Sequence, residues 1–77
     1  MLIIPKIEIS KVTDLKGSEH AGLLGEMFDA ANKIASDLGI SEEGFRLVIN
    51  CGKKAGQEVF HLHMHLLGGR QMNWPPG

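Results

Sequence analysis

Apolar residues in this chain occur in three short runs and one longer periodic stretch. Leucine and isoleucine at residues 2–4 predict a strand that ends at Pro5, which cannot donate a backbone hydrogen bond to a sheet. The apolar run at residues 45–50 predicts a second strand, buried on both sides, and residues 58–67 predict a third. A connection containing Gly52 and Gly56 separates the last two strands, which we expect to pair as an antiparallel hairpin.

Residues 19–38 carry the pattern of an amphipathic helix. Ser18 is the predicted N-cap, Gly39 ends the helix, and His20 in the first turn is expected to be a solvated surface residue. One helix and an antiparallel sheet predict an α+β fold, and residues 1–77 are expected to form a single small domain. The apolar residues of the helix recur at spacings of three and four: Leu24, Met27, Phe28, Ala31, Ile34, Ala35 and Leu38.

The predicted third strand alternates histidine with apolar residues. Because successive side chains of a strand point to opposite faces, His61, His63 and His65 share one face. We call these three side chains the histidine row. It contains three of the four histidines in the chain and is the main candidate for chemistry. The residues expected on the opposite face, toward the core, are Phe60, Leu62, Met64 and Leu66.

Composition and charge narrow the possible functions. With 43% hydrophobic and 22% charged residues, the chain has the composition of an ordinary soluble globular domain. Its net charge of −1 argues against a general nucleic-acid binder, since such domains usually carry a basic excess. The sequence contains neither a signal peptide nor a membrane-spanning run, and the single Cys51 suits a reducing compartment. Cytoplasm, or cytoplasm and nucleus, is therefore the expected location.

Three hypotheses fit the histidine row. A metal site would need the outer imidazoles, about 13 Å apart along a strand, to converge, with only Cys51 or His20 as a further N or S ligand. The solvated face of an edge strand would more often carry Thr, Lys or Glu. At a phosphate site, one imidazole could be the nucleophile while its neighbours bind phosphate oxygens. Asn50, Gly56 and Gln57 would supply further hydrogen-bonding groups to such a site.

Residues 61–67 resemble the signature of the histidine triad (HIT) family, in which three histidines alternate with apolar residues and two apolar residues follow the third. Asn50 and the pair Gly56-Gln57 stand where the phosphate-site residues of that family stand. The ending at residues 68–77 resembles the histidine triad nucleotide-binding (Hint) branch. The resemblance extends over essentially the whole chain.

The resemblance implies a hydrolase of nucleoside 5′-phosphoramidates, such as those of adenosine, or of aminoacyl adenylates. His63 would attack the α-phosphorus and form a nucleotidyl-histidine, which water hydrolyses to a nucleoside monophosphate. The backbone carbonyl of His61 would bind the second ring nitrogen of His63. Neither a cofactor nor a metal is implied. The residues implied to contact the phosphate or nucleotide are Asn50, Gly56, Gln57, Glu58, Val59, His63 and His65.

The Hint branch also implies a homodimer, joined through the long helix and residues 45–50 so that one sheet continues across both copies. Trp74, in the tail, would reach toward the site of the partner and influence which leaving group is accepted. The expected partners are therefore a purine nucleotide of the AMP type and a second copy of the chain, with neither nucleic acid nor a membrane.

The chain departs from the branch pattern in three places. Glu58 stands where serine is common near the leaving group; it would repel phosphate when ionised and could act as a general acid when protonated. Ile7 and Glu8 replace a basic pair that ends in histidine. The third departure is that the chain starts after the usual N-terminal strands, which supply much of the purine and ribose pocket.

Because the chain starts after those N-terminal strands, we expect it to form the C-terminal part of a HIT-like domain. Such a part would have an unpaired sheet edge and uncovered apolar surface. The alternative function is therefore a dimer that binds nucleotides weakly, or binds other proteins, and catalyses little.

Overall fold

The chain folds into one long helix and a three-stranded sheet. In the computed structural model, which describes residues 1–77, the strands are β1 (Leu2–Ile3), β2 (Phe45–Val48) and β3 (Met64–Gly68). The helix, α1, spans Gly17–Asp37, and single turns of 3-10 helix lie at residues 12–14 and 53–55. The α+β class and the antiparallel sheet predicted from the sequence are confirmed.

β3 is the central strand of the sheet. The strand order is β1-β3-β2, and β3 runs antiparallel to both neighbours. The predicted antiparallel pairing of the last two strands is therefore confirmed. His65 lies opposite Leu2 on one side and Val48 on the other, so the third histidine of the row occupies the middle of the sheet.

The third strand is shorter than predicted, because β3 begins at Met64 rather than at residue 58. Before that point the backbone takes non-sheet partners: the Leu62 N–H donates to the Ile9 carbonyl at 2.7 Å, and the Val59 carbonyl accepts from the Gln57 side chain. Leu62, Met64 and Leu66 are buried, as predicted. Phe60 was expected in the core but is 56% exposed, because the alternation does not extend back to the irregular segment.

The helix begins earlier than the predicted N-cap, Ser18. Lys16 is the N-cap residue, with an extended backbone at φ −124° and ψ 122°. The Lys16 N–H donates to Nδ1 of His20 at 2.8 Å, so a side chain of the first turn reaches back to the N-cap, as in a capping box. The prediction that His20 is merely a solvated surface residue is therefore wrong. Gly39, at φ +74°, follows the C-cap Leu38 and ends the helix, as predicted.

The core lies between α1 and the apolar face of the sheet. From the helix it contains Met27 and Ala31, which meet Leu62 and Met64 on the sheet side. Phe28 belongs to the predicted apolar stripe but is 48% exposed, because it stands about 100° around the helix from Met27. The partly buried residues that pack against this core are Leu15, Leu23, Ala30, Ile34, Leu47 and Ile49.

The first residues of the chain present apolar surface beside an open sheet edge. β1 pairs with β3 on one side and has no strand on the other. Four apolar side chains here are more than half exposed: Met1, Leu2, Ile4 and Ile7. Together with Leu23 and Met27 of the helix, Ile4 and Ile7 line a shallow groove. None of the helices in the structure has both the length and the apolar character to cross a bilayer.

Candidate functional site

Two backbone carbonyls orient the first two histidines of the row. Nδ1 of His63 lies 2.7 Å from the carbonyl oxygen of His61. A carbonyl oxygen only accepts hydrogen bonds, so Nδ1 carries the proton and Nε2 of the neutral ring presents a lone pair. Similarly, Nε2 of His61 donates to the carbonyl oxygen of Pro5 at 3.0 Å. The ring of His63 is therefore fixed in the tautomer that a nucleophile acting through Nε2 requires.

The third histidine contacts the second through its ring. The ring centroids of His63 and His65 are 5.1 Å apart, and their planes are inclined at 75°, an edge-to-face arrangement. Neither ring nitrogen of His65 is hydrogen-bonded within the chain, and the residue is half-buried. His65 can therefore donate a hydrogen bond to a ligand held beside Nε2 of His63.

The loop that follows β2 is held by a buried amide. The backbone of Gly52 (φ +90°) and Gly56 (φ +94°) lies in the region that only glycine adopts readily, and a turn of 3-10 helix lies between them. Gln57 is 3% exposed. Its side-chain oxygen accepts from the Gly52 N–H at 2.9 Å, while its Nε2 donates to the carbonyls of Ser10 (2.7 Å) and Val59 (3.2 Å). The Gln57 side chain thus joins three segments of the chain.

The predicted phosphate-site residues differ in whether their polar groups already have hydrogen-bond partners within the chain. The Gly56 N–H donates to the Lys53 carbonyl and the Gln57 N–H to the Gly52 carbonyl, so both amides serve the loop itself. By contrast, the N–H groups of Glu58 and Val59 have no partner in the chain, and both residues are exposed. The half-buried Asn50 likewise makes no side-chain hydrogen bond. The structural role of Gln57 was missed because its acceptor on Ser10 lies 47 residues away.

Trp74 lies beside β2. Its side chain is 79% exposed, and the Cζ atom of Arg46 is 5.9 Å from its ring centroid. Nη2 of Arg46 also donates to the carbonyl oxygen of Asn73 at 3.2 Å. Sequence reasoning singled out Trp74 but missed Arg46, since no periodic pattern relates residues 27 positions apart.

Metal-ligating side chains do not converge in this fold. No three His, Cys, Asp or Glu side chains are placed to bind one metal ion. In the histidine row, one nitrogen of His61 and one of His63 are already engaged by backbone carbonyls. The arrangement is better suited to one nucleophilic nitrogen with hydrogen-bonding neighbours than to a shared metal.

Comparison with known proteins identifies the family. The protein-family model for the HIT domain matches residues 1–72. The chain belongs to the HIT domain family. The family resemblance inferred from the histidine row is therefore confirmed.

Relatives of this HIT chain include proteins named as enzymes. It is 51% identical over 72 residues to the purine nucleoside phosphoramidase of Escherichia coli K12, covering 94% of this chain and 60% of that protein. It is 49% identical over 77 residues to an uncharacterised HIT-like protein of Synechocystis, covering 100% of this chain and 66% of that protein. The HIT chain thus spans between 60% and 66% of the length of these two relatives.

The fold also matches solved HIT structures. A crystal structure of a HIT family hydrolase from Legionella pneumophila gives a TM-score of 0.95 at 50% identity, covering 99% of this chain and 67% of that one. A HIT family hydrolase from Clostridium thermocellum gives 0.88 at 56% identity, covering 94% of this chain and 62% of that one. At these values the chain has the fold of the matched portion of both proteins.

Proposed function

We propose that this HIT chain is a hydrolase of purine nucleoside 5′-phosphoramidates, such as those of adenosine, or of aminoacyl adenylates. The observation that carries the proposal is the 2.7 Å hydrogen bond between Nδ1 of His63 and the carbonyl of His61. It leaves the lone pair on Nε2, and a neutral imidazole with a free lone pair is a competent nucleophile near neutral pH. The purine nucleoside phosphoramidase at 51% identity supports the substrate class.

The proposed reaction has two displacement steps at the α-phosphorus. In the first, Nε2 of His63 forms a bond to phosphorus while the bond to the amine breaks, and the amine takes up a proton from solvent as it leaves. For an aminoacyl adenylate the leaving group is the amino acid carboxylate. In the second step, water attacks phosphorus and gives up a proton to solvent. The P–Nε2 bond then breaks, which releases the nucleoside monophosphate and restores the neutral ring.

Four hydrogen-bonding groups that the chain itself does not engage support the proposal of a phosphate site. The ring of His65 lies against His63, and its nitrogens are not engaged within the chain. The side chain of Asn50 and the backbone N–H groups of Glu58 and Val59 are likewise free. We assign these donors to the phosphate oxygens, where hydrogen bonds to developing negative charge stabilise the transition state. Gly56 and Gln57 would contribute by shaping the loop that presents Glu58 and Val59.

Trapping the intermediate tests the proposal directly. Protein mixed with adenosine 5′-phosphoramidate and quenched during turnover should show an adenylyl adduct by intact-mass spectrometry. After proteolysis, the adduct should map to the peptide that contains His63. An unmodified protein that releases no AMP over the same interval would contradict the proposed function. AMP should not form an adduct by itself, which makes it the matched control ligand.

The alternative function is a chain that binds nucleotides weakly, or binds another protein, with little catalysis. The exposed apolar side chains of residues 1–7 favour it, because clustered apolar surface often marks an interaction site. Calorimetry with AMP beside the turnover assay separates the two candidates. Binding of AMP without release of AMP from the phosphoramidate would favour the alternative.

We also propose that the chain is a homodimer whose sheet continues from one copy to the next. The outer edge of β2 carries no strand in the single chain, and an unpaired edge is a ready site for pairing with another copy. Sedimentation at micromolar concentration should therefore give twice the 8.4 kDa mass of one chain. A compact, folded monomer under those conditions would contradict this proposal.

A further inference from the structure

A small hollow opens beside the first histidine of the row. Ile9 belongs to the core, and its carbonyl accepts from the Leu62 N–H at 2.7 Å, so the segment around Ile9 runs alongside the start of the histidine row. The residues on either side of Ile9, Glu8 and Ser10, are exposed. The hollow, which we call the Glu8 hollow, has a volume of about 280 Å³ and is lined by Glu8, Ile9, Ser10, Phe60 and His61.

Three side chains of the Glu8 hollow carry hydrogen-bond acceptors that the chain itself does not use. Nε2 of His61 donates to the Pro5 carbonyl, so Nδ1 of the neutral ring keeps a lone pair. The carboxylate of Glu8 and the hydroxyl of Ser10 form neither a side-chain hydrogen bond nor an ion pair within the chain. An ammonium group has three N–H donors and no acceptor, so it is the complement of these three groups.

The ring of Phe60 favours the same kind of ligand. Phe60 is exposed despite its size, and its side chain lines the Glu8 hollow. The face of an aromatic ring attracts a cation, as a carboxylate does, and both repel an anion. A metal ion fits less well, because no third His, Cys, Asp or Glu side chain converges on Glu8 and His61. Pockets for whole ligands usually measure about 300–1,000 Å³, so this hollow suits one end of a molecule.

Position 8 is one of the places where the chain departs from the pattern of the Hint branch. That branch usually has a histidine there, and this chain has Glu8, so a ligand for this position does not carry over from the resemblance. The carboxylate places a negative charge in a hollow that His61 also lines, and the His61 carbonyl holds the ring of His63. Near a phosphate bound at His63 that charge is unfavourable, unless the ligand itself brings a positive group.

We infer that the Glu8 hollow binds an ammonium group, and that substrates whose leaving group carries one are favoured. His61 and His63 are two residues apart, so their Cα atoms lie within about 7.6 Å of each other, a span that a short alkyl chain covers. One molecule can therefore place an ammonium group in the hollow and its phosphorus beside Nε2 of His63. The preference among substrates rests on the proposed function, whereas the binding of an ammonium group does not.

Titration with a diamine tests the site without any assay of activity. In protein with ¹⁵N-labelled histidine, 1,4-diaminobutane should shift the ring signals of His61 in a saturable way. The uncharged 1,4-butanediol, which has the same chain length, should not. Glu8→Gln should weaken the affinity for the diamine about two- to fivefold, the effect of losing one exposed ion pair.

The matched control for this titration is Glu42→Gln. It changes the net charge by the same amount at an exposed residue that does not line the Glu8 hollow, and it should keep the wild-type affinity for the diamine. Far-UV circular dichroism checks that both variants are folded. Wild-type affinity in a folded Glu8→Gln, or equal shifts with the diol, would overturn the inference.

Substrate selectivity tests the second half of the inference. The measured quantity is the ratio of kcat/KM for the adenosine phosphoramidate of 1,4-diaminobutane to that for the phosphoramidate of pentylamine, in which a methyl group replaces the free ammonium group. Glu8→Gln should lower this ratio about two- to fivefold, mainly through KM for the diamine substrate. Phe60→Leu should lower it by a similar factor, because the aromatic face is lost. Glu42→Gln should keep the wild-type ratio.

The outcomes separate this inference from the proposed function. Binding of the diamine with a ratio that Glu8→Gln leaves unchanged would overturn the preference among substrates, while the ammonium site and the hydrolase would stand. A wild-type chain that hydrolyses neither phosphoramidate would overturn the proposed function and, with it, that preference. In that case the titration still decides whether the Glu8 hollow binds an ammonium group.

Discussion

Replacing His63 by alanine should reduce turnover of an adenosine phosphoramidate by a factor on the order of 10⁴ or more, the scale seen when an enzyme loses its nucleophile. The loss is expected because His63 is the imidazole of the row whose Nε2 keeps a fixed lone pair, whereas Nε2 of His61 is engaged as a donor to the Pro5 carbonyl and neither ring nitrogen of His65 is held by the chain. The adenylyl adduct should disappear in the same variant. Release of AMP, followed by chromatography under single-turnover conditions, measures the rate, and intact-mass spectrometry measures the adduct.

A matched control is available in the fourth histidine. His20→Gln removes an imidazole at the start of α1 but retains an oxygen that can accept the hydrogen bond from the Lys16 N–H. This variant should turn over the substrate as the wild type does. His63→Ala with a similar rate to His20→Gln would show that Nε2 of His63 does not form the intermediate.

Replacing Gln57 by alanine should destabilise the fold and disorder the loop that follows β2. The change removes the partners of the Gly52 N–H and of the Ser10 and Val59 carbonyls. A hydrogen bond made by a protein group contributes about 0.5–1.5 kcal/mol net, so the loss of these three bonds should lower the free energy of unfolding by about 1–3 kcal/mol. Urea unfolding followed by far-UV circular dichroism measures the difference, and turnover should decrease because Glu58 and Val59 are no longer held.

The control for this change is Gln71→Ala. Gln71 is exposed, and its side chain bonds only to the carbonyl of the next residue, so its removal should leave the free energy of unfolding almost unchanged. Equal stability of the two variants, with AMP binding lost only in Gln57→Ala, would contradict the structural role. That result would instead make the amide of Gln57 a direct nucleotide ligand.

The apolar pattern predicted which helix and strands form better than it predicted where each of them begins and ends. Leu62, Met64 and Leu66 are buried because the two-residue period is a property of extended backbone and can be seen in the sequence. Phe60 follows the same pattern but is exposed, because the segment before Met64 bonds to the Ile9 carbonyl and to Gln57 instead of to a strand. Those partners are distant in the sequence or local to a turn, and periodicity contains no information about either.

The start of the helix shows a second limit. Ser18 has a strong local preference for the N-cap position, whereas the helix starts after Lys16, whose N–H is satisfied by His20. Propensity describes which residue usually occupies the N-cap, and it contains no information about a ring nitrogen four residues later that accepts from the N–H of the N-cap residue. At the candidate site, the resemblance implied the carbonyl partner of His63, but neither pattern nor resemblance indicated that the Pro5 carbonyl accepts from His61 or that Arg46 donates to the Asn73 carbonyl.

The acceptors that orient His61 and His63 belong to the main chain. A side-chain substitution at position 61 therefore removes an imidazole without removing the oxygen that sets the tautomer of His63. The same holds at position 5, where the carbonyl remains whichever residue supplies it. The tautomer of His63 is thus insulated from much of the sequence variation around it, because the surrounding side chains can change, in evolution or in redesign, while Nδ1 keeps its hydrogen-bond acceptor.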